Sequence, residues 1–163
     1  MRARTAAEAQ KAYEAVDDFK SFSDKLIPIP LFGGVGVDGL LALLNMTPVT
    51  APIGAPLNAG YSALASVYAL YQGWRGRASP WTMVRAIAYL GLDGVVSGVP
   101  WLGGFADFFF RGHAFAARAI QRDMEKTLYV EGRFRDARAS GEHEAHRAEM
   151  RAQGKSRIVY LED

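Results

Sequence analysis

The chain has 163 residues, with 19 basic and 17 acidic side chains and no cysteine. That is one domain's worth of polypeptide, and a net charge of +2 gives no general drive toward nucleic acid. The absence of cysteine excludes a disulfide framework and any thiolate-based catalytic or metal site.

Residues 1–25 carry five basic and five acidic side chains. Within them Thr5 to Lys25 reads as an amphipathic helix: Ala9, Tyr13, Val16 and Phe19/Lys20 recur at helical spacing, with Phe22 and Leu26 beyond. With Arg2, Arg4 and Glu8 ahead of Ala-rich polar sequence, this end lacks a signal peptide's apolar core, so it is expected to stay cytoplasmic. Leu26-Ile27-Pro28-Ile29-Pro30 is extended, because a helix cannot run through both prolines. Gly33, Gly34 and Gly36 then form a flexible turn.

From residue 26 to 110 the only charges are Arg75, Arg77, Arg85, Asp38, Asp93 and Asp107. A surface helix in water needs a polar face, and this stretch does not supply one. Val35 to Met46 reads as an apolar helix interrupted by Asp38, and Thr47 to Pro56, with Pro48, Pro52 and Pro56, as a break. Leu57 to Trp74 is the cleanest helix and has no charge. Ala59 and Ala63, like Ser62 and Ser66, fall four residues apart, which lets backbones approach closely in lipid. Tyr61, Tyr68, Tyr71 and Trp74 weight one end with aromatics.

Arg75 to Pro80 is a basic turn in which Ser79 is an N-cap and Pro80 the first helical residue. Trp81 to Val99 is the next helix, apolar after Arg85 except for Asp93, and Pro100 to Gly104 breaks it. Phe105 to Tyr129 is expected to run as one long helix, apolar first and amphipathic later. The tail from Val130 is charged and helical in part, with a short apolar end at Ile158 to Leu161.

Gly36-Val37-Asp38-Gly39-Leu40 repeats as Gly91-Leu92-Asp93-Gly94-Val95. A full span takes about 20 apolar residues, and these stretches are mostly shorter and broken. The expected fold is therefore all-α, with two broken helical hairpins embedded in or against a membrane and amphipathic helices at both ends. The units are an N-terminal helix over 1–25, a hairpin repeat region over 26–112, and a charged cytoplasmic helix and tail over 113–163. Arg75, Arg77 and Arg85 put the connecting loop, and with it both termini, on the cytoplasmic side of the inner membrane.

Asp38 and Asp93 stand at the same point of the two repeats, and a carboxylate at bilayer depth costs about 2.5–3.5 kcal/mol. They are either a paired site for protons or a cation or two helix caps. Asp107 has the capping reading too, or pairs with Arg111 four residues on. Gly34 to Gly39 fits G-x-G-x-x-G by letters, but prolines precede it and Asn58 stands where the ribose-binding acid belongs. His143, His146 and Glu149 could ligate a metal by spacing, but lie in a solvated charge run. His113, among Phe110, Ala114 and Phe115, reads as a hydrogen-bonded helix histidine, and Asn45-Met46-Thr47 is a sequon at apolar depth. No catalytic constellation forms, and no cofactor or metal is expected.

Gly36-Val37-Asp38, Ser79-Pro80-Trp81-Thr82 and the run from Gly91 to Asp107 resemble the bacterial domain of unknown function 4112 family, whose pattern is a doubled G-L-D…G…P-x-x-G-D motif around a basic turn. The resemblance covers about residues 20 to 125, and is closer in the second copy than in the first. Gly104 stands where the second copy should have Asp, and Pro48 to Pro56 has no acid. The resemblance implies membrane association and nothing catalytic.

The expected role is a non-enzymatic membrane protein, an accessory or scaffold subunit whose partners are lipid and other membrane helices, with no nucleic acid. Ala59, Tyr61, Ala63, Tyr68 and Trp74 are its expected helix-partner contacts. The alternatives are a small oligomeric ion or solute transport unit using Asp38 and Asp93, a peripheral protein held by its amphipathic ends, and a soluble helical bundle.

Overall fold

The computed structural model describes residues 1–24, 37, 40–41, 44, 47, 49–97 and 112–163, without the side chains of residues 23, 24 and 93–97. In chain order its elements are α1 (Ala6–Asp24), α2 (Ala51–Arg75), α3 (Pro80–Ser97), α4 (Gly112–Glu125), β1 (Thr127–Val130), α5 (Phe134–Ser140), α6 (Glu142–Ala152) and β2 (Arg157–Tyr160). The protein is mostly helical, as expected, but a two-stranded sheet joins the helices.

α1 starts where Thr5 and Glu8 cap it. The Glu8 N–H donates to Thr5 Oγ1 at 3.2 Å, and the Glu8 carboxylate accepts the Arg4 N–H at 2.7 Å, a variant of the reciprocal capping box. Ala9, Ala12 and Val16 bury one face of the helix, close to the predicted one.

α2 begins earlier than expected. The sequence predicts a break over Thr47 to Pro56, yet Ala51 opens the helix with Pro52 in its first turn and Pro56 inside it. Pro52 gives up an N–H that has no intrahelical acceptor there, so only Pro56 removes a bond. Of the predicted helix Val35–Met46, the described residues Val37, Leu40, Leu41 and Leu44 are helical. The Pro28/Pro30 segment, the glycine turn and the Pro100–Gly104 break lie outside the described residues.

The α2–α3 turn forms as its sequence predicts. Ser79 Oγ accepts the Thr82 N–H at 3.1 Å, and Pro80 opens α3. Asp123 of α4 adds a tie by accepting the Ser79 N–H at 2.8 Å.

The core is built of small side chains: Ala12 and Val16 of α1, Ala86 of α3, and Ala116, Ala117, Ile120 and Met124 of α4. Such residues let helices pack closely around Ile120, which is wholly buried. Gly73 of α2 sits against it. A Cβ there would lie 2.9 Å from Ile120 Cδ1 and 3.1 Å from Met83 Sδ.

The single helix expected over Phe105–Tyr129 is corrected. α4 ends at Glu125, and β1 follows within two residues. Thr127 Oγ1 donates to the Asp123 carbonyl at 2.7 Å, and the strand is β-branched and aromatic in composition. β2 pairs with it in parallel, Thr127 opposite Arg157 and Val130 opposite Tyr160. A parallel pair needs a long crossover, which α5 and α6 provide, and Gly141 turns between them at φ +82°. The apolar end of the tail thus docks as a strand, and Leu161 behind it is fully buried.

The spanning reading finds no support. Among the described residues no helix is long and apolar enough to cross a membrane.

Candidate functional site

Thirteen residues of α2 between Pro52 and Trp74 face solvent, and none carries a charge. Ile53 is 69% exposed, Leu64 74% and Val67 67%. Together with Leu57, Gly60, Tyr71 and Trp74 they follow a four-three spacing that keeps them on one stripe. The opposite face, Ala65, Ala69, Gln72 and Gly73, is the one buried in the fold. α3 also exposes Trp81, Val84, Ile87 and Leu92, each by more than half, with the exposed Arg85 among them. A small protein rarely leaves an apolar surface as continuous as that of α2 in water.

Beside the stripe runs a groove of about 740 Å³ between α1 and α2. Phe19, Phe22, Tyr61, Leu64 and Tyr71 line it, and Asp18 stands among them. Tyr68 closes on Phe19 with ring centroids 5.3 Å apart.

The stripe ends in arginines. Arg75 lies over the Tyr71 ring at 5.8 Å, and Arg2 over the Trp74 ring at 5.6 Å, both within cation–π range. The Ala3 N–H donates to the Arg75 carbonyl at 2.9 Å and fixes the N-terminal residues there. Arg2 also enters a cleft of about 480 Å³ lined by Arg4, Arg77, Arg133, Glu162 and Asp163.

Arg77 is committed to the fold. Its Nε donates to the Ala3 carbonyl at 2.8 Å, Nη2 to Leu161 at 2.6 Å, and Nη1 to Asp163 at 3.1 Å. Its φ of +55° puts it in the left-handed region, unusual for a residue with a Cβ. Arg157 secures the same junction: it pairs with Asp123 at 2.9 Å and donates to the Arg77 carbonyl at 2.7 Å.

Four groups among the described residues have displaced proton affinities, and burial raises that of Tyr160. Tyr13 donates to Glu125 at 2.7 Å, and that hydrogen bond pushes its pKa up to about 12. Burial pushes Tyr129, which donates to the Gly76 carbonyl at 2.7 Å, up to about 12. The Arg4 N–H holds the Glu8 carboxyl below its usual range.

Of the sequence-predicted site residues, Asp38 and Asp107 lie outside the described residues, and Asp93 is described only as a backbone position of α3. The glycine motif at 34–39 and the sequon Asn45 also fall outside, apart from the helical Val37. Ala59 and Ala63 are exposed, beside the stripe rather than in the core. Tyr61 meets His113 of α4 edge-on at 6.2 Å. His143 and His146 both direct Nδ1 at the Tyr160 hydroxyl, at 2.9 and 3.2 Å. Among the described residues no group of three potential ligands could hold a metal ion. Sequence reading missed the arginine cleft, since Arg2, Arg4, Arg77 and Arg133 come from three separate stretches of chain. Only the basic turn at Arg75 to Pro80 and the density of arginine outside residues 26–110 pointed toward it.

The model of the family described as "Domain of unknown function (DUF4112)" matches residues 12–124, nearly the stretch that carried the resemblance. No curated protein and no solved structure matches the chain.

Proposed function

We propose, from the premise that the chain belongs to the DUF4112 family, that this protein is a non-enzymatic accessory or scaffold subunit acting at a membrane surface. Its docking surface is the apolar side of α2 and α3. Lipid, and helices already seated in lipid, are its partners on this reading.

One observation carries the proposal: the uncharged run of thirteen exposed residues on α2. Each large apolar side chain left in water forgoes about 1.5–3 kcal/mol of burial. Ile53, Leu57, Leu64 and Val67 forgo it together, and an apolar partner recovers that free energy. Surface docking also fits the described helices, none of which is long and apolar enough to span. The charged region from α5 onward stays in water on this reading.

Flotation of the full chain with lipid vesicles tests the proposal, alongside sedimentation in plain buffer. Co-flotation supports it. A chain that stays monomeric in buffer and never floats with vesicles overturns it.

A further inference from the structure

We infer that the arginine cleft at the end of the α2 stripe receives the phosphate headgroup of an anionic lipid whose acyl part lies along the stripe. This rests on the docking role proposed above and names the chemistry of the partner.

Two features meet at one residue. Arg2 stacks on Trp74, the last aromatic of the apolar stripe, and lines the cleft as well. An amphiphile whose charged head sits in the cleft therefore has its apolar portion beside Trp74, Tyr71 and Val67. Aromatic rings and long basic side chains at the edge of an apolar surface match the headgroup level of a bilayer.

Charge gives the sign of the ligand. Four guanidinium groups face two carboxylates around the cleft, those of Glu162 and Asp163. Arg77 is held by backbone carbonyls, and the Asp163 carboxylate accepts the Phe134 N–H at 3.3 Å. Arg2, Arg4 and Arg133 are exposed. Their forked donors suit phosphate oxygens. Glu8, the acid of the α1 cap, lies in the field of Arg4 and Arg75 and leaves Arg2 and Arg133 to the ligand. A cleft of about 480 Å³ has room for a phosphodiester headgroup.

A second copy of the chain fits the same surface less well. Helices that associate in water carry charges flanking their apolar seam, and no charged residue lies on α2 before Arg75.

The experiment compares full-chain binding to vesicles of phosphatidylcholine alone and of phosphatidylcholine mixed with phosphatidylglycerol. Arg2→Gln and Arg133→Gln are combined in one variant, and Leu64→Gln and Val67→Gln in another. Circular dichroism and thermal unfolding confirm that both fold. The wild type is expected to prefer the anionic vesicles, and the arginine variant to lose about fivefold in affinity for them per guanidinium removed. Its residual binding to neutral vesicles persists, whereas the stripe variant loses both. Equal binding of the wild type to both vesicles overturns the headgroup site but leaves the docking role intact. The same holds if the arginine variant keeps the full preference. Thermal protection by inorganic phosphate without any anionic-vesicle preference assigns the cleft to a free anion and overturns the lipid. No binding to either vesicle overturns both readings.

Discussion

α2 and α6 are both helices with wide solvent-facing sides, and they present opposite chemistry. On α6, five of the eight exposed residues are charged: Glu142, Glu144, Arg147, Glu149 and Arg151. On α2, none of the thirteen between Pro52 and Trp74 is. α6 has the composition water demands of a surface helix, and α2 does not. Between them lies a polar junction, where Arg77 and Arg157 bind the C-terminal strand to the α2–α3 turn through backbone carbonyls and Asp123. Specific polar contacts hold the charged region in place, and the apolar region keeps a surface with no use inside the fold.

The sharpest test of this contrast is the junction. Arg77→Gln removes charge-assisted bonds to Ala3, Leu161 and Asp163. It should cost about 2–4 kcal/mol in urea unfolding, with early amide exchange at Leu161. A loss below about 0.5 kcal/mol would mean that the C-terminal strand is held by its ladder alone. The inner face of α2 should be less sensitive. Gly73→Ala drives a methyl against Ile120 and Met83, and such overpacking costs about 1–3 kcal/mol.

Tyr13→Phe should cost about 1 kcal/mol at neutral pH, through the lost bond to Glu125. The Tyr13 pKa in the fold is raised to about 12 from an ordinary 10. Its contribution is thus complete below pH 10 and fades as pH rises through about 12. Wild type and variant should therefore converge in stability in strong alkali, read by unfolding curves across that window.

The smallest effect belongs to the outer face. Leu64→Gln with Val67→Gln should change stability in plain buffer by no more than about 0.5 kcal/mol, because both side chains are already exposed. A loss well above 1 kcal/mol would show that this stripe is covered in the lone chain, and would abolish the contrast with α6.

Much of the fold was legible in the chain. The α1 face, the uncharged Leu57–Trp74 helix and the Ser79–Pro80 start of α3 each follow from a local signal: spacing, composition or a cap. Pro52 misled because proline breaks a helix only where its N–H is needed, and in a first turn it is not, whereas Pro56 inside the helix gives up one bond that the rest of α2 tolerates. Small residues recur on two faces of α2, and only the fold shows which of them turns inward. Ala59/Ala63 and Ala65/Ala69 share the same spacing, and periodicity has no origin that says which face turns inward.

By itself the amino-acid sequence determined the helical class, the family, and the confinement of nearly all charge to the two ends, because these depend on residues close together in the chain. Tertiary structure alone decided that Leu128 pairs with Ile158, that Arg77 binds carbonyls at both ends of the polypeptide, and that Arg2 meets Trp74 beside Arg133. Each is a contact between residues far apart in the chain. Its free energy comes from geometry that no local pattern encodes.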